Sequence, residues 1–263
     1  PGIAGVAPRC IPWEDEEGTE LQIFASNQNE FVYTNDWKGP FFGGFAQVVD
    51  TFERTGHPRR LKPVNVYYHF YSAATLGAQR ALERVLDWCA KEDLHSLTAG
   101  QFAKIKRDCH GVRILSEGEG RYLILSGGQL RTFRLPEGAG VPDLAASEGV
   151  TGYKLFEGQL YIHTDGSKCV KLSLQSPEEA ASQRPLYLAS STAEIEFHTR
   201  AASSAEFTVN DVRPAQIRFG GLVPARAYFL ESGDSEPQQH TADADGFIAL
   251  KLKPGTRAKL RPR

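Results

Sequence analysis

From about Gly111 onward the chain is written in short alternating apolar and polar runs, and this rhythm restricts the available folds more than any other feature. RYLILS, QLRTFRL, PLYLAS, AEIEFHT, AEFTVN, AQIRFGGL, RAYFLES and GFIALKLKP set apolar side chains two residues apart, which places them on one face of a strand. Between the runs stand EG, GG, DG, SGD and DADG, combinations suited to tight turns. FEGQ and TDGS, inside GYKLFEGQLYIHTDGSKCVKLSL, have the form of hairpin connections. One-sided strands must bury their apolar faces against one another, so residues 111–263 are expected to form an antiparallel β-sandwich or jelly roll of roughly eight to ten strands. PEGAGVPDLAASEG, 136–149, shows no alternation and is expected to be a surface loop.

Residues 1–110 follow a different grammar. LQIFA, 21–25, reads as a short apolar strand. FAQVVDTFERTG then puts Phe45, Val48, Val49 and Phe52 on one helical face, with Gly56 where a C-terminal cap belongs. After HPRRLKP comes an aromatic-rich run, VNVYYHFY, expected to be a buried strand, and then a long helix with Ala78, Leu82, Val85, Leu86 and Cys89 as its apolar stripe. Thr98 opens a third helix through the capping box TAGQ, and Phe102 and Ile105 are its expected buried residues. Strand and helix in alternation imply a parallel sheet covered by helices. Two strands do not make a stable parallel sheet alone, so this half reads as the tail of a larger α/β domain. The predicted class is therefore α+β: the C-terminal portion of an α/β barrel over residues 1–110, followed by a β-sandwich over 111–263.

Composition removes several function classes. The formal net charge of -2 gives none of the basic excess that nucleic-acid or anionic-membrane binding favours. No apolar run approaches the ~18 residues that span a bilayer, and the N-terminus lacks the plan of a signal peptide, so neither nucleic acid nor membrane insertion is expected. The chain begins at proline and holds no methionine, which fits either a processed or excised piece or a sequence from which modified methionines are missing. Cys10, Cys89, Cys109 and Cys169 make no metal-binding spacing. They permit a disulfide, with Cys89 and Cys109 the favoured pair, or four buried free thiols. GxGxxG after a strand, GxxxxGK[ST], HExxH and GxSxG are all absent, leaving nucleotide cofactors and serine-hydrolase chemistry without a foothold. The acidic stretch WEDEEGTE, 13–20, reads as a solvated loop rather than a metal site, and DADG, 243–246, as a turn before an edge strand, because no downstream acid completes a calcium loop.

NQNEFVYTNDWKGPFFGGF, 27–45, is different, since it gathers amides, aromatics and glycines without periodicity. Aromatic faces beside amide and acid hydrogen-bonding groups suit carbohydrate, which makes Asn27, Asn29, Glu30, Tyr33, Asn35, Asp36 and Trp37 candidate sugar contacts. A structured loop whose amides satisfy their own backbone is the competing reading.

The segments NQNEFVYTNDWKGPFFGGFAQVVDTFERT and PRRLKPVNVYYHFYSAATLGAQRALERVLDW resemble the C-terminal part of the deacetylase domain in the PelA-like proteins, which modify a secreted bacterial exopolysaccharide in biofilms. The resemblance covers roughly residues 1–107 and implies a polysaccharide-deacetylase-like barrel performing metal-dependent hydrolysis of N-acetyl groups in a periplasmic or secreted setting. It gives His69 the role of general acid to the leaving amine and makes Asp36 its nearby acid, although NDW departs from the usual longer spacing. Trp37, Tyr33, Asn35, Glu30 and Tyr68 become candidate substrate contacts. The family's metal ligands, an Asp pair and a two-histidine motif, have no counterpart here, so this chain is expected to hold no cofactor. A divalent metal would then belong to the full-length protein, the upstream part of the same protein would be a partner, and an exopolysaccharide rich in N-acetylated amino sugars would be the ligand. By itself the chain is expected to be inactive. The alternatives are a non-catalytic carbohydrate-binding module and a structural β module, with His69 a hydrogen-bonded structural residue under an aromatic cluster.

Overall fold

The computed structural model describes residues 9–15, 18–24, 44–56, 63–68, 74–233 and 235–263. The chain divides into two compact units, Pro1–Leu94 and His95–Arg263. It is α+β and mostly antiparallel β-sheet, with four short α-helices among the described residues. The helix at Ala99–Gly111, which the sequence pattern grouped with the first half, falls in the second unit.

In the first unit, β1 (Arg9–Asp15) and β2 (Gly18–Phe24) form an antiparallel hairpin with Asp15 opposite Gly18. The described residues of the acidic stretch, 13–15 and 18–20, thus lie in paired strands. A 3-10 turn at Gly44–Gln47 leads into α1 (Val48–Arg54), and α2 spans Leu76–Lys91. Phe45, Val48, Val49 and Phe52 pack with Ala81, Leu82 and Val85 in one small core, as helical spacing predicts. Leu86 is 44% exposed, one position outside this stripe. The expected strand at VNVYYHFY is not formed over the described residues 63–68, and no parallel pair occurs among the described strands. Val64 and Val66 lean on the helical core while Tyr67 and Tyr68 are exposed.

The second unit opens with α3 (Ala99–Gly111), held at its start by the predicted reciprocal capping box of Thr98 and Gln101. Phe102 and Ile105 are only half-buried. The residue that α3 buries is Asp108. Then follow β3 (Arg113–Gly118), β4 (Arg121–Leu125), β5 (Thr132–Pro136), β6 (Val141–Pro142), β7 (Val150–Phe156), β8 (Gln159–Thr164) and β9 (Cys169–Gln175). They form two sheets, ordered β3-β4-β9-β6 and β5-β8-β7, around Ile124, Phe133, Leu160, Ile162 and Val170. The stretch expected to be a surface loop contains β6 and buries Val141 and Leu144 in this core. FEGQ is a hairpin turn, with Glu157 and Gly158 both at positive φ and Phe156 opposite Gln159. TDGS is not one, because β8 and β9 lie in different sheets.

A short helix, α4 (Pro177–Gln183), comes next, capped reciprocally by Ser176 and Glu179 with Pro177 in its first turn. Beyond it are β10 (Tyr187–Ser191), β11 (Glu194–Arg200), β12 (Ala205–Asn210), β13 (Ala215–Gly220), β14 (Ala227–Ser232), β15 (Gln238–Thr241), β16 (Ile248–Leu252) and β17 (Arg257–Pro262). These make sheets ordered β10-β13-β16 and β11-β12-β17-β14-β15 around a larger core that includes Phe207, Ile217, Phe219, Tyr228 and Leu260. The single expected sandwich is therefore two. Alternation fixes which face of a strand is buried but not which strands share a core. Cys109 and Cys169 carry free, exposed thiols, so neither the Cys89–Cys109 bridge nor the burial expected of these two thiols is found.

Candidate functional site

Strand β10 serves both sandwiches, and the site grows from that fact. Leu186 and Leu188 point into the second core, whereas Tyr187, between them, packs on the first. The same period operates on its neighbours: Ile217 and Phe219 go inward on β13 and leave Arg218 outside, while Ile248 and Leu250 go inward on β16, with Phe247 just ahead of them half-buried. The outer face of this three-stranded sheet thus carries Tyr187, Arg218 and Phe247.

Two glycines allow the first sandwich to close on this face. A Cβ on Gly152 of β7 would lie 2.1 Å from the Leu188 carbonyl oxygen, so β7 and β10 approach closely only because that position has no side chain. Gly220 sits opposite Tyr187 across the β10–β13 ladder, and a Cβ there would meet the Tyr187 ring at 2.6 Å and the Phe247 ring at 2.7 Å. Polar contacts fix the junction. His163 donates from Nε2 to the Ala189 carbonyl at 3.2 Å while its Nδ1 faces the Thr132 hydroxyl at 3.4 Å, and Arg131 pairs with Glu194 at 2.8 Å.

At this junction lies a cavity of about 420 Å³, within the size range of small-ligand sites. One wall is aromatic. Tyr153 of β7 stacks on Tyr187 with ring centres 4.5 Å apart and planes 12° apart, and Tyr187 meets Phe247 edge-on at 6.4 Å. Burial pushes the Tyr187 phenol up, reinforced by its hydrogen-bonded neighbour Tyr153, whose own phenol burial also raises. Both rings are therefore neutral at ordinary pH. Arg218 lies 4.1 Å over the Phe247 ring and reaches Asp243 at 3.4 Å.

Asp243 organises the DADG turn, accepting from Asp245 N–H at 3.0 Å and Phe247 N–H at 2.8 Å. The Phe247 N–H leads the contacts that hold its carboxyl below the usual carboxylate range. Val141, Pro142 and Leu144, with Ala180 and Ala181 of α4, also line the cavity. Lys154, Arg184 and Asp245 complete the charged rim, and Gln175 and Ser190 add neutral hydrogen-bonding groups. Such a site can lay a flat apolar surface against rings while satisfying polar substituents at its edge.

Of the residues singled out in the sequence, His69, Asp36, Trp37, Tyr33, Asn35 and Glu30 lie outside the described residues. Tyr68 is 42% exposed. Among the aromatics of the β half, Tyr161 and Tyr228 are buried, Phe197 packs against the larger core, and Tyr153 lines the cavity. Tyr187, Arg218 and Phe247 escaped sequence reasoning, although alternation in PLYLAS and AQIRFGG places Tyr187 and Arg218 on the face opposite the core. Among the described residues no group of three or more His, Cys, Asp or Glu is placed to hold a metal ion, and no helix is long and apolar enough to cross a membrane. No protein-family model, curated protein or solved structure matches this chain.

Proposed function

We propose that this chain is the C-terminal part of a bacterial exopolysaccharide-modifying deacetylase, periplasmic or secreted, and that residues 95–263 are its non-catalytic sugar-holding part. The observation that carries the second statement is the cavity walled by Tyr153, Tyr187 and Phe247, with Arg218 laid over Phe247. Sugars present C–H faces that pack on aromatic rings and hydroxyl and amide groups that need polar partners, and this cavity supplies both.

The first statement rests on the resemblance of residues 1–107. In that reading a barrel completed by the upstream part of the same protein binds a divalent metal. His69 protonates the leaving amine, Asp36 supports it, and Trp37, Tyr33, Asn35, Glu30 and Tyr68 border the acetyl group and sugar. General-acid help contributes only about 10²–10⁴-fold, so these residues by themselves would leave the reaction slow.

Calorimetric titration of the full chain with short N-acetylhexosamine oligomers tests the sugar-holding role. Binding is expected, and Phe247→Ala is expected to weaken it roughly tenfold, a loss of about 1–2 kcal/mol, with an unchanged circular-dichroism spectrum. Oligomer binding unaffected by Phe247→Ala would remove the cavity from the reading. The chain alone is expected to release no acetate from the same oligomers; chelator-sensitive release at an enzyme-like rate would contradict the assigned division of labour.

A further inference from the structure

The charge on the cavity rim distinguishes two forms of the polymer that the sugar-holding reading leaves equivalent. Three cationic side chains, Lys154, Arg184 and Arg218, line the cavity against one lining carboxylate, Asp245. Asp243 stands behind Arg218 and offsets part of its charge. Arg184 is exposed at the end of α4, where its left-handed backbone (φ 40°) turns the chain toward β10 and its Nε donates to the Ala181 carbonyl at 3.3 Å. The lining therefore carries a positive excess even after Asp243 is counted.

Resting on the sugar-holding reading, the geometry points to a cavity selective for the N-acetylated, uncharged amino sugar over its deacetylated, ammonium-bearing counterpart. Both forms offer the same ring face to the aromatic wall. They differ at one substituent. The acetamide brings a neutral donor and acceptor, which Gln175 and Ser190 at the cavity suit, whereas the free amine brings a positive charge beside an excess of cations. A module with this preference holds the polymer before deacetylation and releases it afterwards, so that it presents substrate and does not retain product.

The effect is set by screened, solvent-exposed charges, each worth a fraction of a kcal/mol, so a preference of about fivefold at low salt is expected. The test compares binding of one N-acetylhexosamine oligomer and its fully deacetylated form to the full chain at pH 6, where the amine is protonated, at low and at high ionic strength. The expected result is tighter binding of the acetylated oligomer at low salt and convergence of the two affinities as salt rises. Lys154→Glu with Arg184→Glu is expected to invert the preference; should that pair misfold, Arg184→Gln alone, which balances the lining charges once Asp243 is counted, should abolish it. Equal binding at low salt, or tighter binding of the deacetylated form, overturns the selectivity and leaves the sugar-holding role standing. Binding of neither oligomer overturns both.

Discussion

Asp108 is the one buried carboxylate among the described residues, and its environment explains why it is there. Its Oδ2 accepts from the N–H groups of Gln129 and Leu130, each at 2.7 Å, and its Oδ1 accepts from Gly127 N–H, so one helix side chain caps the whole turn between β4 and β5. Burial alone would raise its pKa, but the backbone donors outweigh burial and the group lies below the ordinary carboxylate range. With the folded pKa depressed, its stabilisation is present above the unfolded value near pH 4 and is lost as pH falls through the folded pKa. Asp108→Asn puts an amide donor among N–H donors and is expected to cost roughly 2–4 kcal/mol at pH 7 by urea denaturation. The difference from the parent should shrink on acidification below about pH 4. Sequence periodicity placed Phe102 and Ile105 in the core and overlooked Asp108, because a charged residue declares itself buried only when its partners, some twenty residues away, are in place. The Tyr153–Tyr187 pair gives the opposite sign. Both phenols are raised by burial, so their contribution is whole below about pH 10 and disappears as pH rises beyond it. In a tyrosinate absorbance titration of the folded chain, Tyr153→Phe with Tyr187→Phe should remove absorbance change from the part of the curve above the ordinary phenol range, and the same variant should make no such difference after unfolding.

Elements differ in how openly the sequence states them. Helix α4 lies in a stretch that the strand reading of residues 111–263 passed over, although SPEEAASQ holds a capping box, in which Ser176 accepts from Glu179 N–H at 3.2 Å and Glu179 accepts from Ser176 N–H at 2.9 Å. Ser176→Ala is expected to cost about 1 kcal/mol in a thermal melt and to weaken sugar binding modestly, since α4 forms part of the cavity wall. VNVYYHFY states the wrong element over its described part: β propensity is a preference for a pleated, half-buried surface, and Tyr67 and Tyr68 stand exposed there. Gly152 is the contrary case, a strand glycine whose purpose is invisible until β10 lies against it. Gly152→Ala is expected to destabilise by about 1–3 kcal/mol and to weaken the binding of N-acetylhexosamine oligomers, because Tyr153 next to it can no longer hold its place on Tyr187. Retained stability and retained binding together would show that β7 and β10 tolerate separation.

At the scale of the molecule, the unit His95–Arg263 has two cores joined by a strand common to both. Leu186 and Leu188 belong to one core and Tyr187 to the other, so neither sandwich can unfold without disturbing β10. Calorimetry of residues 95–263 should therefore give a single transition, with equal calorimetric and van't Hoff enthalpies, and two resolved transitions would refute the coupling. The sequence by itself determined the class, the antiparallel character and start of the β part, the hairpin at FEGQ, the capping box at Thr98 and the apolar faces of α1 and α2. Each is a matter of neighbours within a few residues, where backbone geometry couples side chains at periods of 2 and 3.6. Tertiary structure alone decided that the β strands divide into two sandwiches, that residues 136–149 fold inward, and that Asp108 caps a distant turn. It also assembled Tyr153, Tyr187, Arg218 and Phe247 around one cavity. Alternation states only that a side chain leaves its own core, and whether it then meets water or a second layer depends on contacts between strands far apart in the chain.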